Sequence, residues 1–232
     1  MNFTPAMAEW NTNDILKFLE ARAGNAVPPS VFKNFFGTPL QTYAFTVSRL
    51  AGIEMITDVY DALSAIEQSG GSLKDFQYVL NELLDAAGWT RLSPWHIENI
   101  WRTNMASVYN SARMEYQLDV VDEFPFWLFA VTMDNRTCEI CRPLGKPPIV
   151  LPANHKWFQT HTPPLHFQCR SEIIALTADQ VKDYGYRVTK PKDIPEVAVD
   201  YKHGFGYRAK LGDDKNISGQ INKILEVYKN AA

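Results

Sequence analysis

The sequence predicts an α+β fold, mainly α: three principal helices packed on a small β-sheet, with a Cys3His zinc-knuckle-like loop and extended N- and C-terminal arms. Three observations predict it. Apolar residues recur at steps of three and four between Gln41 and Leu118, the period changes at Phe126, and all three cysteines of the 232-residue chain fall between Cys138 and Cys169. A stripe with the helical period is what a helix packed by one face requires, a short continuous apolar run marks a buried strand, and clustered cysteines gather soft metal ligands. The chain divides accordingly into an N-terminal arm (1–40), a helical part (41–120), a small sheet with the Cys/His knuckle (121–176) and a C-terminal tail with a terminal helix (177–232).

The leading arm holds a short helix with Asn13 or Asp14 near its start and Ile15, Leu16, Phe18 and Leu19 as apolar contacts. After the break at Val27-Pro28-Pro29-Ser30, the aromatic cluster Phe32, Phe35 and Phe36 is closed by Gly37 and Pro39. Such an arm offers aromatic anchors for docking elsewhere.

Tyr43, Val47, Leu50, Ile53, Ile56, Val59, Leu63 and Ile66 predict one long helix from about Gln41 to Gln68, stopped by Ser69-Gly70-Gly71. Ser72, followed three residues later by Asp75, is an N-cap signal for a second helix that carries Leu73, Phe76, Val79, Leu80, Leu83 and Leu84 to Gly88. Ser93-Pro94 repeats the start signal for a third helix running to about Leu118. Its apolar stripe is Ile97, Ile100, Trp101, Met105, Val108 and Ala112, and the polar residues Arg102, Thr103, Asn104 and Asn110 interrupt it. Asparagine is a mediocre helix former, so Asn104 either hydrogen-bonds a neighbouring segment or belongs to an exposed polar face.

Phe126 to Val131 then reads as a buried strand, and Glu172 to Leu176 as its partner. Thr177 to Val181 resembles a short capped helix before Gly185. Residues 187–215 mix prolines, glycines and charges without periodicity, as an extended tail does, and Ile217, Ile221, Ile224, Leu225 and Tyr228 suggest a terminal amphipathic helix.

Composition narrows the function. With 46% apolar residues the chain can bury a sizeable core, and its net charge of −3 argues against a dedicated DNA-coating protein, which needs many Lys and Arg contacts to phosphates. No apolar run approaches the roughly 20 residues that cross a bilayer, and Met1 to Trp10 lacks a charged-then-apolar leader. Synthesis in a reducing cytoplasm, with thiols free for metal and no membrane partner, is the expectation.

The chemistry concentrates between Asp134 and Arg170. Cys138-x-x-Cys141 and His166-x-x-Cys169 offer three thiolates and an imidazole, the ligand set of a tetrahedral structural zinc site. Each x-x spacing lets a tight turn aim both side chains at one point, and the intervening loop returns the second pair. His155 and His161 in that loop are substitutes for His166. The same residues could instead be buried structural thiols, a redox pair, or a disulfide with one thiol left over. Four protein ligands leave no coordination position for a catalytic water, which favours a structural role.

Taken together, Gly71-Ser72-Leu73-Lys74-Asp75-Phe76, Gly88-Trp89, Arg102-Thr103-Asn104 with Val108-Tyr109, Asp134 to Cys141 and Pro163 to Arg170 resemble the phage Mu protein F-like family of phage head morphogenesis proteins. The resemblance covers about Thr42 to Leu176 and makes Arg102, Thr103, Asn104, Asp134, Arg136, Thr137 and Arg170 motif residues beside the four ligands. It implies a minor head protein, present in few copies and associated with the portal vertex inside the capsid, and the closed ligand set adds the expectation of no catalytic turnover. Its implied partners are the phage portal protein and the major capsid protein, with packaged DNA as a further candidate. Family members often close the motif with Cys-Arg-Cys, whereas this chain has Cys169-Arg170-Ser171. Many are also longer, with added C-terminal domains.

Two other functions compete. A zinc-dependent nuclease or hydrolase would use His155, His161 or His166 with Asp134, and needs an open metal position and a general base. A nucleic-acid-binding zinc module would use Arg136, Arg142, Lys146 and Arg170 as a basic edge, although scattered charges more often form a solvated surface.

Overall fold

The computed structural model describes residues 12–22, 25–35, 45, 53–207 and 214–231. Five helices lead: α1 (Thr12–Glu20), α2 (Pro29–Phe35), α3 (Ile53–Gln68), α4 (Leu73–Ala86) and α5 (Pro94–Asp119). Strand β1 (Phe126–Ala130), the single turn α6 (Arg142–Gly145), β2 (Ile149–Pro152) and β3 (Glu172–Leu176) follow, then α7 (Ala178–Asp183) and the terminal α8 (Asp214–Ala231). The α+β, mainly helical reading holds.

Local chemistry sets the helix ends. Ser72 accepts from the Asp75 N–H while the Asp75 carboxylate accepts from the Ser72 N–H at 2.7 Å, a reciprocal box worth about 1 kcal/mol to α4. Ser93 caps α5 through the His96 N–H, and Pro94 occupies a first-turn position where its missing N–H costs nothing. At the C-termini, Gly70 (φ 68°) closes α3 and Gly88 (φ 69°) closes α4 in the left-handed region. The Gly71 N–H returns to the Ile66 carbonyl and the Trp89 N–H to the Leu84 carbonyl, both at 2.8 Å, and so satisfies carbonyls the helices leave open.

The expected helix from Gln41 does not run unbroken. Phe45 forms a parallel bridge with Ala26, its N–H donating to the Asn25 carbonyl at 3.0 Å, and its ring meets Tyr60 edge-on at 4.9 Å. A backbone committed to that bridge cannot also be helical at Phe45, so the expected helix is broken there. Tyr43, Val47 and Leu50 lie outside the described residues.

Two main cores share one helix. The first gathers Ile15, Phe18, Leu19, Val31, Phe32, Ile56, Leu63, Phe76, Leu80, Leu84, Ile97, Ile100 and Val108, and the terminal helix adds Ile221 and Leu225. The segments expected as extended arms thus help to build this core. Phe32, expected as a docking anchor, is 8% exposed within it; the Phe35 side chain and Phe36 lie outside the described residues. The second core packs Trp127, Phe129, Leu144, Ile149, Leu151, Phe158, Leu165 and Ile173, with Met114 from α5. At 26 residues, α5 is about 39 Å long and passes from one core into the other.

The sheet is antiparallel in the order β2-β1-β3. Central β1 is covered on both faces. Trp127 and Phe129 point into the second core, while Leu128 meets Val150, Leu176 and Val181 beneath α7. That double burial explains its uninterrupted apolar run. Strand β2 was not expected. Its Ile149-Val150-Leu151 run sits among Pro147, Pro148 and Pro152, which reads as a loop, yet proline is tolerated where a strand lies at a sheet edge. Residues 187–207 hold short 3-10 turns and dock on the second core through Val199 and Phe205. Among the described residues, no helix is long and apolar enough to cross a membrane.

Candidate metal centre

Strand pairing brings the two ligand pairs together. Ala130 at the end of β1 lies opposite Glu172 at the start of β3, so the loop leaving β1 and the turn entering β3 share one end of the sheet. The first loop is built by polar side chains. The Asp134 carboxylate accepts from the Arg136 N–H at 2.8 Å, and the Thr137 hydroxyl accepts from the Asp134 N–H at 2.8 Å while donating to the Thr132 carbonyl at 2.7 Å. The Cys141 N–H then points at Cys138 Sγ at 3.4 Å, folding the Cys-x-x-Cys turn. In the second turn the Cys169 N–H donates to the His166 carbonyl at 3.2 Å, with Gln168 in the left-handed region at φ 56°.

Three donors converge: Cys138 Sγ, Cys141 Sγ and His166 Nε2 all lie within 4.8 Å of one another. His166 Nε2 is 3.0 Å from Cys138 Sγ and 3.1 Å from Cys141 Sγ, and Cys169 Sγ lies 3.8 Å from Cys141 Sγ. A tetrahedral zinc with Zn–S bonds of about 2.3 Å and a Zn–N bond of about 2.0 Å sets sulfurs about 3.8 Å apart and sulfur and nitrogen about 3.5 Å apart. The sulfur pair already has that spacing, and the imidazole needs only about 0.5 Å of retreat. Cys138, Cys141 and His166 can together hold a metal, whereas Cys169, expected as the fourth ligand, touches the group through Cys141 and lies outside the three mutually close donors.

The surrounding bonds fit the same purpose. His166 Nδ1 lies 2.7 Å from the Phe167 carbonyl, which can only accept, so Nδ1 keeps its hydrogen and Nε2 faces the sulfurs. Ser171, buried, donates to Cys141 Sγ at 3.3 Å. It supports a candidate ligand without being one.

Charge favours a cation here. Hydrogen bonds from Cys141 and His166 hold the Cys169 thiol below its ordinary range against the opposing effect of burial, and the Cys141 thiol is pushed up by that bond to Cys169 and by burial. Burial opposes protonation of His166, but the Cys169 thiolate and the Phe167 carbonyl outweigh it and raise the pKa to about 9. A divalent metal bound here would take the place of the Nε2 proton and balance the charge of the thiolates.

Some of the remaining motif residues brace this centre and others do not. Arg170 grips Asp134 through two bonds of 2.7 and 2.6 Å, and Arg142 donates to the Thr137 carbonyl at 2.7 Å. Arg102 pairs with Glu98 on an exposed face of α5. Asn104 bonds the Ile100 carbonyl of its own helix at 2.8 Å and reaches no neighbouring segment. Its neighbour Thr103 makes the long-range bond, accepting from the Gln168 N–H at 3.3 Å. His155 caps a 3-10 turn through the Trp157 N–H, and His161 stacks on Trp157 at 4.4 Å. Neither joins the donor cluster. Sequence reasoning missed Gln168 and Ser171, and only their positions beside Cys169 could have flagged them.

The family described as Phage Mu protein F like protein matches residues 58–174, just over half of the chain. The chain belongs to this family. The Mu F-like match begins inside α3 and takes in α4, α5, the sheet and all four knuckle positions. Among curated proteins, the chain is 24% identical over 162 residues to "Putative capsid assembly protein F" of Escherichia phage Mu, covering 63% of this chain and 36% of that protein. It is 26% identical over 199 residues to the Mu-like prophage FluMu F protein of Haemophilus influenzae, covering 80% of this chain and 45% of that one. The chain thus spans less than half the length of these relatives. No solved structure matches.

Proposed function

We propose that this Mu F-like chain is a capsid assembly protein of a tailed bacteriophage. In this reading it is a minor head protein that works at the portal vertex inside the head, through contacts with the portal and major capsid proteins, without catalytic turnover. The observation that carries the reading is the family match across residues 58–174, together with the printed name of the phage Mu relative. The site chemistry is in accord. Cys138, Cys141 and His166 would supply three of zinc's positions, and Cys169, 3.8 Å from Cys141, would move in as the fourth. Zinc held so supplies folding energy and offers no site for an activated water.

Assembly of heads from the phage's own portal and major capsid proteins, with and without this chain, tests the proposal. Head-associated chain at low copy number per portal, lost when portal is omitted, is the expected result. Absence of the chain from purified heads would overturn it, and metal-dependent cleavage of DNA by the purified chain would put a nuclease in its place.

A further inference from the structure

Gln168 combines three features that ordinary packing does not require. First, its φ of 56° makes it the sole non-glycine residue with positive φ among the described residues, and it sits in the His166 to Cys169 turn, where glycine adopts that conformation at no steric cost. Second, its backbone N–H reaches 65 residues back to the Thr103 hydroxyl on α5, which in turn donates to Asn99 Oδ1 at 3.4 Å. Third, its side-chain nitrogen is buried without a hydrogen-bond partner, and the side chain lines the small cavity formed with Cys138, Cys141 and His166. A left-handed glutamine and an unsatisfied buried donor each cost free energy, and such costs persist where they serve a site.

We propose that Gln168 is a positioning residue of the metal centre: Thr103 fixes its backbone, and its side-chain amide is the hydrogen-bond donor reserved for the metal-bound thiolates. The inference rests on the metal reading given above. Thiolates on a metal stay electron-rich and take N–H donors, and Cys141 already has the Ser171 hydroxyl. Cys138, in the same cavity, receives the Cys141 N–H at 3.4 Å, and its other polar contact, His166 Nε2 at 3.0 Å, is one that a bound metal would take over. A glycine at 168 would relax the turn but supply no amide, which accounts for glutamine at a glycine-like position. Through Thr103, seating of the knuckle on α5 and metal affinity become one property, and the threonine of the Arg-Thr-Asn motif acquires a role.

The test measures Zn2+ affinity of the full chain by competition with a chromophoric chelator, and the thiolate-to-metal charge-transfer band after Co2+ loading. Gln168→Gly should keep or raise the melting temperature of the metal-free chain yet bind Zn2+ about tenfold more weakly. Its Co2+ band should move to longer wavelength, as a thiolate that loses a donor becomes easier to oxidise. Thr103→Val should shift both readouts the same way and Thr103→Ser should restore them. Parental affinity and an unshifted band in Gln168→Gly would overturn the inference, whatever Thr103→Val does to folding. A parent chain that takes up neither Zn2+ nor Co2+ would overturn the metal reading itself and this inference with it.

Discussion

Arg170 holds Asp134 in a two-bond grip, with Nη1 at 2.7 Å from Oδ2 and Nη2 at 2.6 Å from Oδ1. The pair ties the loop that carries Cys138 and Cys141 to the residue that follows Cys169, so it braces both halves of the knuckle.

Hydrogen bonds from Arg170 hold the Asp134 carboxyl well below its ordinary value of 3.8. A carboxylate whose pKa is depressed on folding adds stability above the unfolded value and loses it as pH falls toward the folded one. Asp134→Asn should therefore melt below the parent at pH 6. The gap should narrow once the pH drops below 3.8, as calorimetry across a pH series would record.

Metal removal should act on one half of the chain. A ligand that binds only the folded form adds about 4 kcal/mol at a thousandfold excess over its Kd. Chelation, or Cys141→Ser, should lower the protection of amides in residues 126–176 well before those of α3 and α4, followed by hydrogen exchange. Equal loss in both halves would speak against a metal that staples the sheet.

The helical core has its own test. Phe76 is fully buried and its ring lies 5.3 Å from that of Trp101. Phe76→Ala should cost about 3–5 kcal/mol in urea titrations, since the cavity cannot collapse between α4 and α5. Ser72→Ala, which removes only the cap, should cost about 1 kcal/mol.

Docking makes a separate prediction. Trp95, at the start of α5, is 65% exposed, and Trp89 in the preceding turn is 41% exposed. Large exposed aromatics commonly anchor interfaces, whereas surface substitutions change stability by about 0.5 kcal/mol or less. Trp95→Ala should leave the melting temperature in place and reduce the amount of chain recovered in heads.

Elements with local signals were legible in the sequence. Ser72, Ser93 and Thr177 announce helix starts because a capping side chain acts within one turn, and β1 shows itself because both its faces are buried. The Cys138-x-x-Cys141 spacing disclosed half of the donor cluster for the same reason. What depended on distant partners stayed hidden. The Phe45 bridge to Ala26 interrupts an apolar period that looked continuous, and β2 is a strand only because β1 lies beside it. Between Thr103 and Asn104 the choice turned on which side chain reaches Gln168, 65 residues away, and no local pattern encodes that.

A helix of about 39 Å embedded at one end among Ile97, Ile100 and Val108 and at the other beside the sheet is a stiff beam with both ends clamped. Arg113 pairs with Glu172 and Gln117 donates to the Ile173 carbonyl at 2.9 Å, so β3 is bolted to its far end. A load applied near Trp95 has no hinge in α5 at which to dissipate. It would reach the knuckle as a displacement of the whole rod, so that a partner seated at the helix start would also orient the sheet.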